Sequence, residues 1–358
     1  MRRHFNNFIA GAIDWLWRKR STGLTLIKIS IPLLVALLGT SWAMKIIVPA
    51  SSGTFQFSFD MNEGTPAYLI VVGLILTVIL IVVGIVLLIN EERRLGKKRA
   101  VAIELRGLRD TTGDPLKEQI PRNIPGRREQ ILVNIRRSDG CILDPEDALQ
   151  QVVHLPTSIA HFEAGNDRSD IAYVTGGLAP VPFSFLLGVL LDDEGGITLM
   201  DWDRNGDYWR SLDSQDDGDR FTVSGMDKIG QAEEIVVSIS VSYQTNMPAI
   251  IQSFAGQPIV SMTLPKLATD GHWSEGKQAA LAQEFFDTMR ALCGTDVKNV
   301  NLVLAAPNSV VIRFGRIYDK RNLPPITVWQ YENGHTPPYP WGVSMPVAGK
   351  RTEIVRRD

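Results

Sequence analysis

Hydrophobic residues fall into two regimes along this chain. Residues 67–89, from Ala67 to Ile89, carry no charge, and a helix of that length, rising about 1.5 Å per residue, crosses a bilayer core of about 30 Å. A second apolar stretch, residues 24–48, precedes it and is interrupted by Lys28, Pro32, Gly39, Thr40, Ser41 and Lys45. Beyond about residue 100 the pattern changes to short β-branched runs alternating with amphipathic helical segments. The expected class is α/β: two N-terminal transmembrane helices, a hairpin over 24–90, followed by a soluble domain.

The flanks of the apolar runs predict an orientation. Arg2, Arg3, Arg18, Lys19 and Arg20 precede the first, and Arg93, Arg94, Lys97, Lys98 and Arg99 follow the second, while residues 49–66 hold Asp60 and Glu63 and no Lys or Arg. The positive-inside rule then puts both termini in the cytoplasm and the connecting loop outside. No small-residue cleavage site follows Val48, which favours a retained two-span hairpin over a signal peptide. Residues 1–23 are expected as a cytoplasmic segment in which Phe5, Phe8, Ile9, Ala12, Ile13 and Leu16 recur at helical spacing. Lys28, Ser41 and Lys45 are read either as polar positions of a packed helix or as the lining of a path. Two helices cannot enclose water, so a path requires several copies.

Residues 91–128 are charged and punctuated by Gly96, Gly107, Gly113, Pro115, Pro121 and Pro125. They are expected to form a linker whose first part continues the second helix to about Leu108. The remainder, 129–358, contains an internal echo. Ala179-Pro180 is followed by Gly188, Ile197-Thr198 and Trp202; Ala306-Pro307 is followed by Gly315, Ile326-Thr327 and Tyr331, the Pro-to-Gly interval being eight in both. Each copy predicts a strand (170–175; 301–305), a turn, a short apolar helix (182–191; 309–317) and a closing strand (197–201; 326–330). Upstream of the second copy, 234–243 alternates as a strand and 274–294 is an amphipathic helix. Two Rossmann-like units are therefore expected, at about 129–228 and 229–340.

Composition narrows the function. The balance of 37 Lys and Arg against 39 Asp and Glu gives no case for a nucleic acid polymer as partner. The two cysteines, Cys141 and Cys293, lack a metal-ligand spacing and are expected as reduced thiols. Gly-x-Ser-x-Gly, a phosphate-binding loop with Lys-Ser/Thr, His-Glu-x-x-His and Gly-x-Gly-x-x-Gly are all missing, so no catalytic residue, metal ligand or redox cofactor is assigned and the chain is not expected to be an enzyme. In parallel sheets ligands collect beyond the carboxyl ends of strands, where helix starts offer free N–H groups to phosphate. Gly176 and Gly177 would let backbone pass close to such a ligand, Pro182 suits the first turn of one helix, and Pro307 and Asn308 open its counterpart.

At these residues the chain resembles a SAVED domain, the sensor module of bacterial CBASS anti-phage effectors. The resemblance rests on Tyr173-Val-Thr-Gly-Gly-Leu-Ala-Pro-Val-Pro-Phe with Gly188, on Asp201-Trp-Asp-Arg, and on Val303-Leu-Ala-Ala-Pro-Asn-Ser with Phe314-Gly-Arg and Val328-Trp-Gln-Tyr. It covers roughly residues 129–340. It implies two fused CARF-like units that bind a cyclic di- or trinucleotide made by a CD-NTase, and with the hairpin in front it resembles the transmembrane-SAVED class. That class implies a bacterial inner-membrane protein that forms a homo-oligomer on ligand binding and damages the lipid bilayer, causing death or arrest of the infected cell. Trp202, Arg204, Arg313, Arg316 and Tyr331 join the ligand-binding candidates, Arg for phosphate or base and aromatic rings for stacking. Asp201-Trp-Asp-Arg-Asn-Gly-Asp opens like a calcium loop, but Leu212 stands where its bidentate Glu belongs, so a tight turn is expected instead. Two alternatives stay open: a membrane-anchored receptor that recruits a cytosolic partner without a pore, and a membrane-anchored cyclic-oligonucleotide phosphodiesterase.

Overall fold

A computed structural model describes residues 21–38, 43–50, 53–60, 67–192, 195–347 and 349–357. The expected amphipathic segment lies almost wholly outside these residues, as does Ser41. The chain divides into two units, Met1–Lys97 and Lys98–Asp358.

In the first unit α1 (Thr22–Leu38) and α2 (Ala67–Lys97) pack side by side. The contact is made where side chains vanish: a Cβ on Gly23 would lie 2.5 Å from the Gly84 carbonyl oxygen, and one on Gly73 3.2 Å from Leu37. Pairing of 23 with 84 and 37 with 73 makes the helices antiparallel. Along α2 Val71, Val72, Ile75, Leu76, Ile79, Val82 and Val83 are exposed, a surface suited to lipid rather than water. Among the described residues α2 alone is long and apolar enough to cross a bilayer. The expectation of one helix over 24–48 is corrected. α1 has 17 residues, about 25 Å of rise. The chain then turns back as a hairpin of β1 (Ala43–Ala50) and β2 (Gly53–Asp60), in which Met44, Ile46 and Val48 stand opposite Phe59, Phe57 and Phe55. The β-branched run Ile46-Ile47-Val48, in register with Phe57, Gln56 and Phe55, favours pleated pairing over helix.

The second unit holds two sheets. The first contains β3 (Arg99–Arg106), β4 (Arg127–Asn134), β5 (Ile171–Leu178), β6 (Thr198–Asp203) and β7 (Tyr208–Ser211), with helices α3 (Leu116–Gln119), α4 (Pro145–Val153), α5 (Leu155–Glu163) and α6 (Val181–Leu190). The second contains β8 (Thr222–Ser224), β9 (Glu234–Ser240), β10 (Ile259–Thr263), β11 (Asn299–Ala305), β12 (Ile326–Gln330), β13 (Trp341–Ser344) and β14 (Glu353–Arg356), with α7 (Met247–Ser253), α8 (Glu275–Leu292) and α9 (Asn308–Ile317). Strand order is β4-β3-β5-β6-β7 in one and β14-β13-β12-β11-β9-β10-β8 in the other. In each, four parallel strands (β4-β3-β5-β6; β10-β9-β11-β12) end in an antiparallel neighbour (β7; β13). The sheets therefore repeat one topology, and the internal echo of the sequence is real at the level of fold.

The expected linker 91–128 is also corrected. Its first residues finish α2, and after the single residue Lys98 the chain enters β3, an inner strand buried from Ala100 onward. Three charges in Arg-Ala-Val-Ala-Ile-Glu-Leu-Arg disguise that strand in the sequence. Glu104 is fully buried, and its carboxylate accepts from Arg106 Nη2 (3.0 Å), Leu116 N (2.9 Å), Gln130 Nε2 (2.8 Å) and the Thr111 hydroxyl. A buried charge persists only when paired and hydrogen-bonded to this degree.

The halves are joined by exchange. α6 lies against β12 and β13 of the second sheet, and α9 against β5 and β6 of the first. The helices run in the same direction, contacting through Ser184 and Asn308 near their starts and Leu191 and Arg316 near their ends. Midway, backbone meets backbone: a Cβ on Gly188 would collide with the Ile312 carbonyl oxygen and sit 2.9 Å from the Gly315 Cα, while one on Gly315 would collide with the Phe185 carbonyl oxygen. Substituting Gly188→Ala or Gly315→Ala should destabilise the domain by about 1–3 kcal/mol or more. Gly165→Ala, in open space, should change little. Thermal unfolding of the full chain in detergent, followed by circular dichroism, measures the difference.

Candidate functional site

The caps of α6 and α9 are exchanged like the helices themselves. Neither helix carries its own side-chain cap. Asp201, near the end of β6, accepts from Ser309 N of α9 through Oδ2 at 2.9 Å; Gln330, ending β12, accepts from Val181 N of α6 through Oε1 at 3.2 Å. These two residues occupy equivalent places in the repeat. Between them the helix starts meet, the Ser184 hydroxyl donating to Asn308 Oδ1 at 2.6 Å. The open helix starts expected to receive phosphate are thus partly filled: a buried carboxylate already stands where an anion would bind α9.

Beside this junction lies a cleft of about 320 Å³ at the carboxyl ends of β5, β6, β9 and β11. Leu178 and Val181 form one wall, Ala305, Ala306, Pro307 and Asn308 another, and Asp201, Trp202, Arg204 and Asn205 a third. Ser242 and Tyr243 follow β9, and Thr269, Asp270, His272 and Trp273 precede α8. Tyr243 is 58% exposed and presents a face for stacking. Arg204, in the turn after β6, is exposed and has no ion pair or hydrogen bond among the described residues. Arg109 lies over the Trp202 ring at 5.0 Å and pairs with Asp207.

Polar groups inside the cleft lack partners. Trp202 Nε1 and both ring nitrogens of His272 are buried without a hydrogen bond, although nearly all such atoms in folded proteins are satisfied. His272 Nε2 lies 3.5 Å from Asp201 Oδ2. Burial pushes the His272 pKa below its ordinary value, against the opposing pull of the Asp201 carboxylate. Gln278 secures the wall, donating to the His272 carbonyl (2.7 Å) and the Ser309 hydroxyl (2.8 Å).

Of the residues singled out in the sequence, Trp202, Arg204, Pro307 and Asn308 come together in this cleft. The others do not line it. Gly176 faces the Trp209 ring, which a Cβ would approach to 2.6 Å, and Gly177 faces Leu105 and Ile312, so both serve packing. Pro182 is buried in α6. Arg313 pairs with Glu275 on α8 at 2.5 Å; Arg316 donates to the Leu191 carbonyl at the far end of α9. Tyr331 packs against Tyr339 with the rings tilted by 58° and accepts from Asn246 Nδ2 on its hydroxyl. In the calcium-like loop Asp201 turns to α9, and Asp203 accepts from Asn205 N and Gly206 N (2.9 and 3.0 Å), closing a tight turn. The cleft residues missed in the sequence, His272, Asp270 and Tyr243, sit in loops. Their only signal was position: Tyr243 ends the β9 run, and His272-Trp273 stand just before Ser274, which caps α8.

The model of the family described as "SMODS-associated and fused to various effectors sensor domain", SAVED, matches residues 155–345, more than half of the chain. The chain belongs to the SAVED family. The model of the SAVED-fused 2TM effector domain matches residues 2–149, so a SAVED sensor domain follows a membrane-associated effector segment. Solved structures of SAVED/CARF-domain containing receptors match at low identity. A SAVED/CARF-domain containing receptor, Cap4 of Acinetobacter baumannii with the cyclic trinucleotide 2'3'3'-cAAA, matches at 11% identity and TM-score 0.47 over 78% of this chain and 58% of its own. The same receptor with 3'3'3'-cAAA gives 12% and 0.46, over 72% and 52%. The Moraxella osloensis Cap4 receptor gives 13% and 0.42, over 72% and 51%. The chain thus spans little more than half of these proteins. No curated protein matches.

Removing the exchanged caps tests their part in the SAVED domain. Asp201→Ala leaves a buried helix N–H unpaired and should cost about 1–2 kcal/mol. Gln330→Ala, at a less buried and uncharged acceptor, should cost less. Chemical unfolding of the full chain in detergent ranks them.

Proposed function

We propose that this protein is an anti-phage CBASS effector whose SAVED domain binds a cyclic di- or trinucleotide from a CD-NTase in the cleft beside the helix starts. The observation that carries this reading is the cleft itself: a free Arg204, an exposed Tyr243 ring and the unpartnered nitrogens of Trp202 and His272 converge at strand ends. Arg204 supplies the cation for a bridging phosphate. Tyr243 offers a stacking face.

Binding is read out by the membrane segment. The protein resides in the bacterial inner membrane with two spans and cytoplasmic termini, in accord with the basic flanks and the uncharged run 67–89 of α2. Ligand favours a homo-oligomer because the assembled form binds it better than the monomer does, and gathered hairpins then breach the lipid bilayer. Close Gly23–Gly84 packing leaves α1 and α2 as one slim element of the kind that associates through small residues.

The test uses the full chain in vesicles of phosphatidylethanolamine and phosphatidylglycerol. One cyclic di- or trinucleotide should bind by calorimetry and release an entrapped dye, and Arg204→Ala should weaken binding about tenfold or more. Failure of every such nucleotide to bind overturns the reading. Binding without dye release favours a tethered receptor that recruits a partner, and linear products favour a phosphodiesterase.

A further inference from the structure

A phosphate approaching the start of α9 meets an anion already there. Asp201 is 4% exposed and holds Ser309 N, so a ligand phosphate would stand beside a buried carboxylate, where low dielectric makes like charges repel strongly. The ligand also brings two or three negative charges of its own. Some group in the cleft must compensate.

The charged neighbours of His272 can be named element by element. Asp201 faces it from β6 and Asp270 from its own loop. Arg210 faces it from β7 but is engaged with Asp203 (3.8 Å), Asp213 (3.4 Å) and the Trp273 ring (4.7 Å). Lys277, at the start of α8, is buried and paired with Asp217 and Asp219. Arg204 reaches the cleft from the turn after β6. Two carboxylates are thus opposed by one uncommitted cation. His272 itself is 6% exposed, lines the cleft, stands 3.5 Å from Asp201, and makes no well-formed ring hydrogen bond among the described residues, the Thr269 backbone lying near enough to favour its protonated form. It is a base in reserve.

We propose that His272 takes up one proton from solvent when the anionic ligand binds, and that the imidazolium formed bridges the Asp201 carboxylate and a ligand phosphate. The inference rests on the reading of the cleft as a cyclic-nucleotide site and adds its proton linkage. In the free protein burial pushes the ring's pKa below its ordinary value, against the pull of Asp201, the Thr269 backbone and Asp270. A new anion within a few ångströms raises its proton affinity, as any nearby opposite charge does. Both nitrogens then donate, one to Asp201 and one to the phosphate, and the arrangement that repelled becomes an alternating chain of charges. By linkage, a site that gains a proton on binding binds more tightly as pH falls. Phosphodiesters do not change charge between about pH 6 and 8, the range in which histidine does, so the proton belongs to the protein.

The test is calorimetry on the full chain in detergent across about pH 6 to 8, in buffers of differing ionisation enthalpy. The probes are 2'3'3'-cAAA, 3'3'3'-cAAA and cyclic diadenylate and diguanylate. The expected result is uptake of close to one proton and affinity rising up to about tenfold for each pH unit of decrease. In His272→Gln, which keeps a hydrogen-bonding side chain of similar size, uptake should vanish and the remaining binding become weaker and independent of pH. Binding without proton uptake overturns the proposal, and so does uptake that persists in His272→Gln, which would assign it to Asp201 or Asp270. Should the variant not fold, the wild-type proton count decides alone. Failure of all probes at every pH overturns the underlying reading instead, a distinct outcome.

Discussion

Everything in the second unit depends on the place where α6 and α9 touch backbone to backbone at Gly188 and Gly315. Two helices whose carbonyl oxygens approach each other's Cα atoms leave no room for a Cβ, so each helix is drawn past its own sheet and onto the opposite one. The domain consequently has one shared core, in which Phe183, Phe185, Leu186 and Leu187 pack with Val310, Val311, Ile312 and Phe314. Two separable Rossmann-like lobes would each have needed a helix to cover their own strands. Here neither lobe is complete without the other.

The same crossing brings both helix starts to one end of the molecule, between the carboxyl ends of two parallel sheets. Parallel sheets place binding loops there in any case; the exchange doubles the arrangement and makes it nearly symmetric. Chemistry then breaks the symmetry. Gln330 caps α6 with a neutral amide, while Asp201 caps α9 with a carboxylate. On the Asp201 side His272, Arg204 and the exposed Tyr243 gather around the capped helix. On the Gln330 side Asp144, Glu332, His335 and Arg356 lie around the neutral cap, so the two halves differ in the charge of the cap itself.

The membrane unit uses related physics with a different solvent. Gly23 against Gly84 brings α1 and α2 together where lipid supplies no hydrophobic drive between helices, and packing must supply it. From α2 the chain reaches β3 through Lys98 alone, whose carbonyl already accepts from Arg127 N at 3.0 Å. The long apolar helix is followed directly by an inner strand of the SAVED-containing unit. A change in the first sheet has one residue of chain between it and the end of that helix.

By itself the sequence determined what periodicity and spacing can determine. The uncharged run fixed α2, alternation fixed β9 and β12, helical spacing fixed α8, and the recurring Pro-x7-Gly interval marked α6 and α9 as counterparts. It also brought Trp202, Arg204, Pro307 and Asn308 forward as candidates, because strand ends and helix starts are local features. Tertiary structure alone decided the rest. β3 escaped notice because Arg99, Glu104 and Arg106 read as solvent-facing charges until Glu129 is seen to pair with Arg99, and Thr111, Leu116 and Gln130 to satisfy Glu104 and Arg106. Residues 43–48 look like membrane helix until paired with strand 53–60. Gly176 and Gly177 look like ligand contacts until Trp209 and Ile312 arrive from elsewhere in the chain. Asp201 becomes a cap, and His272 its neighbour, only through bonds spanning more than a hundred residues or loops without a pattern. Local periodicity encodes elements; which polar group finds a partner, and which is left without one, depends on contacts that no local pattern contains.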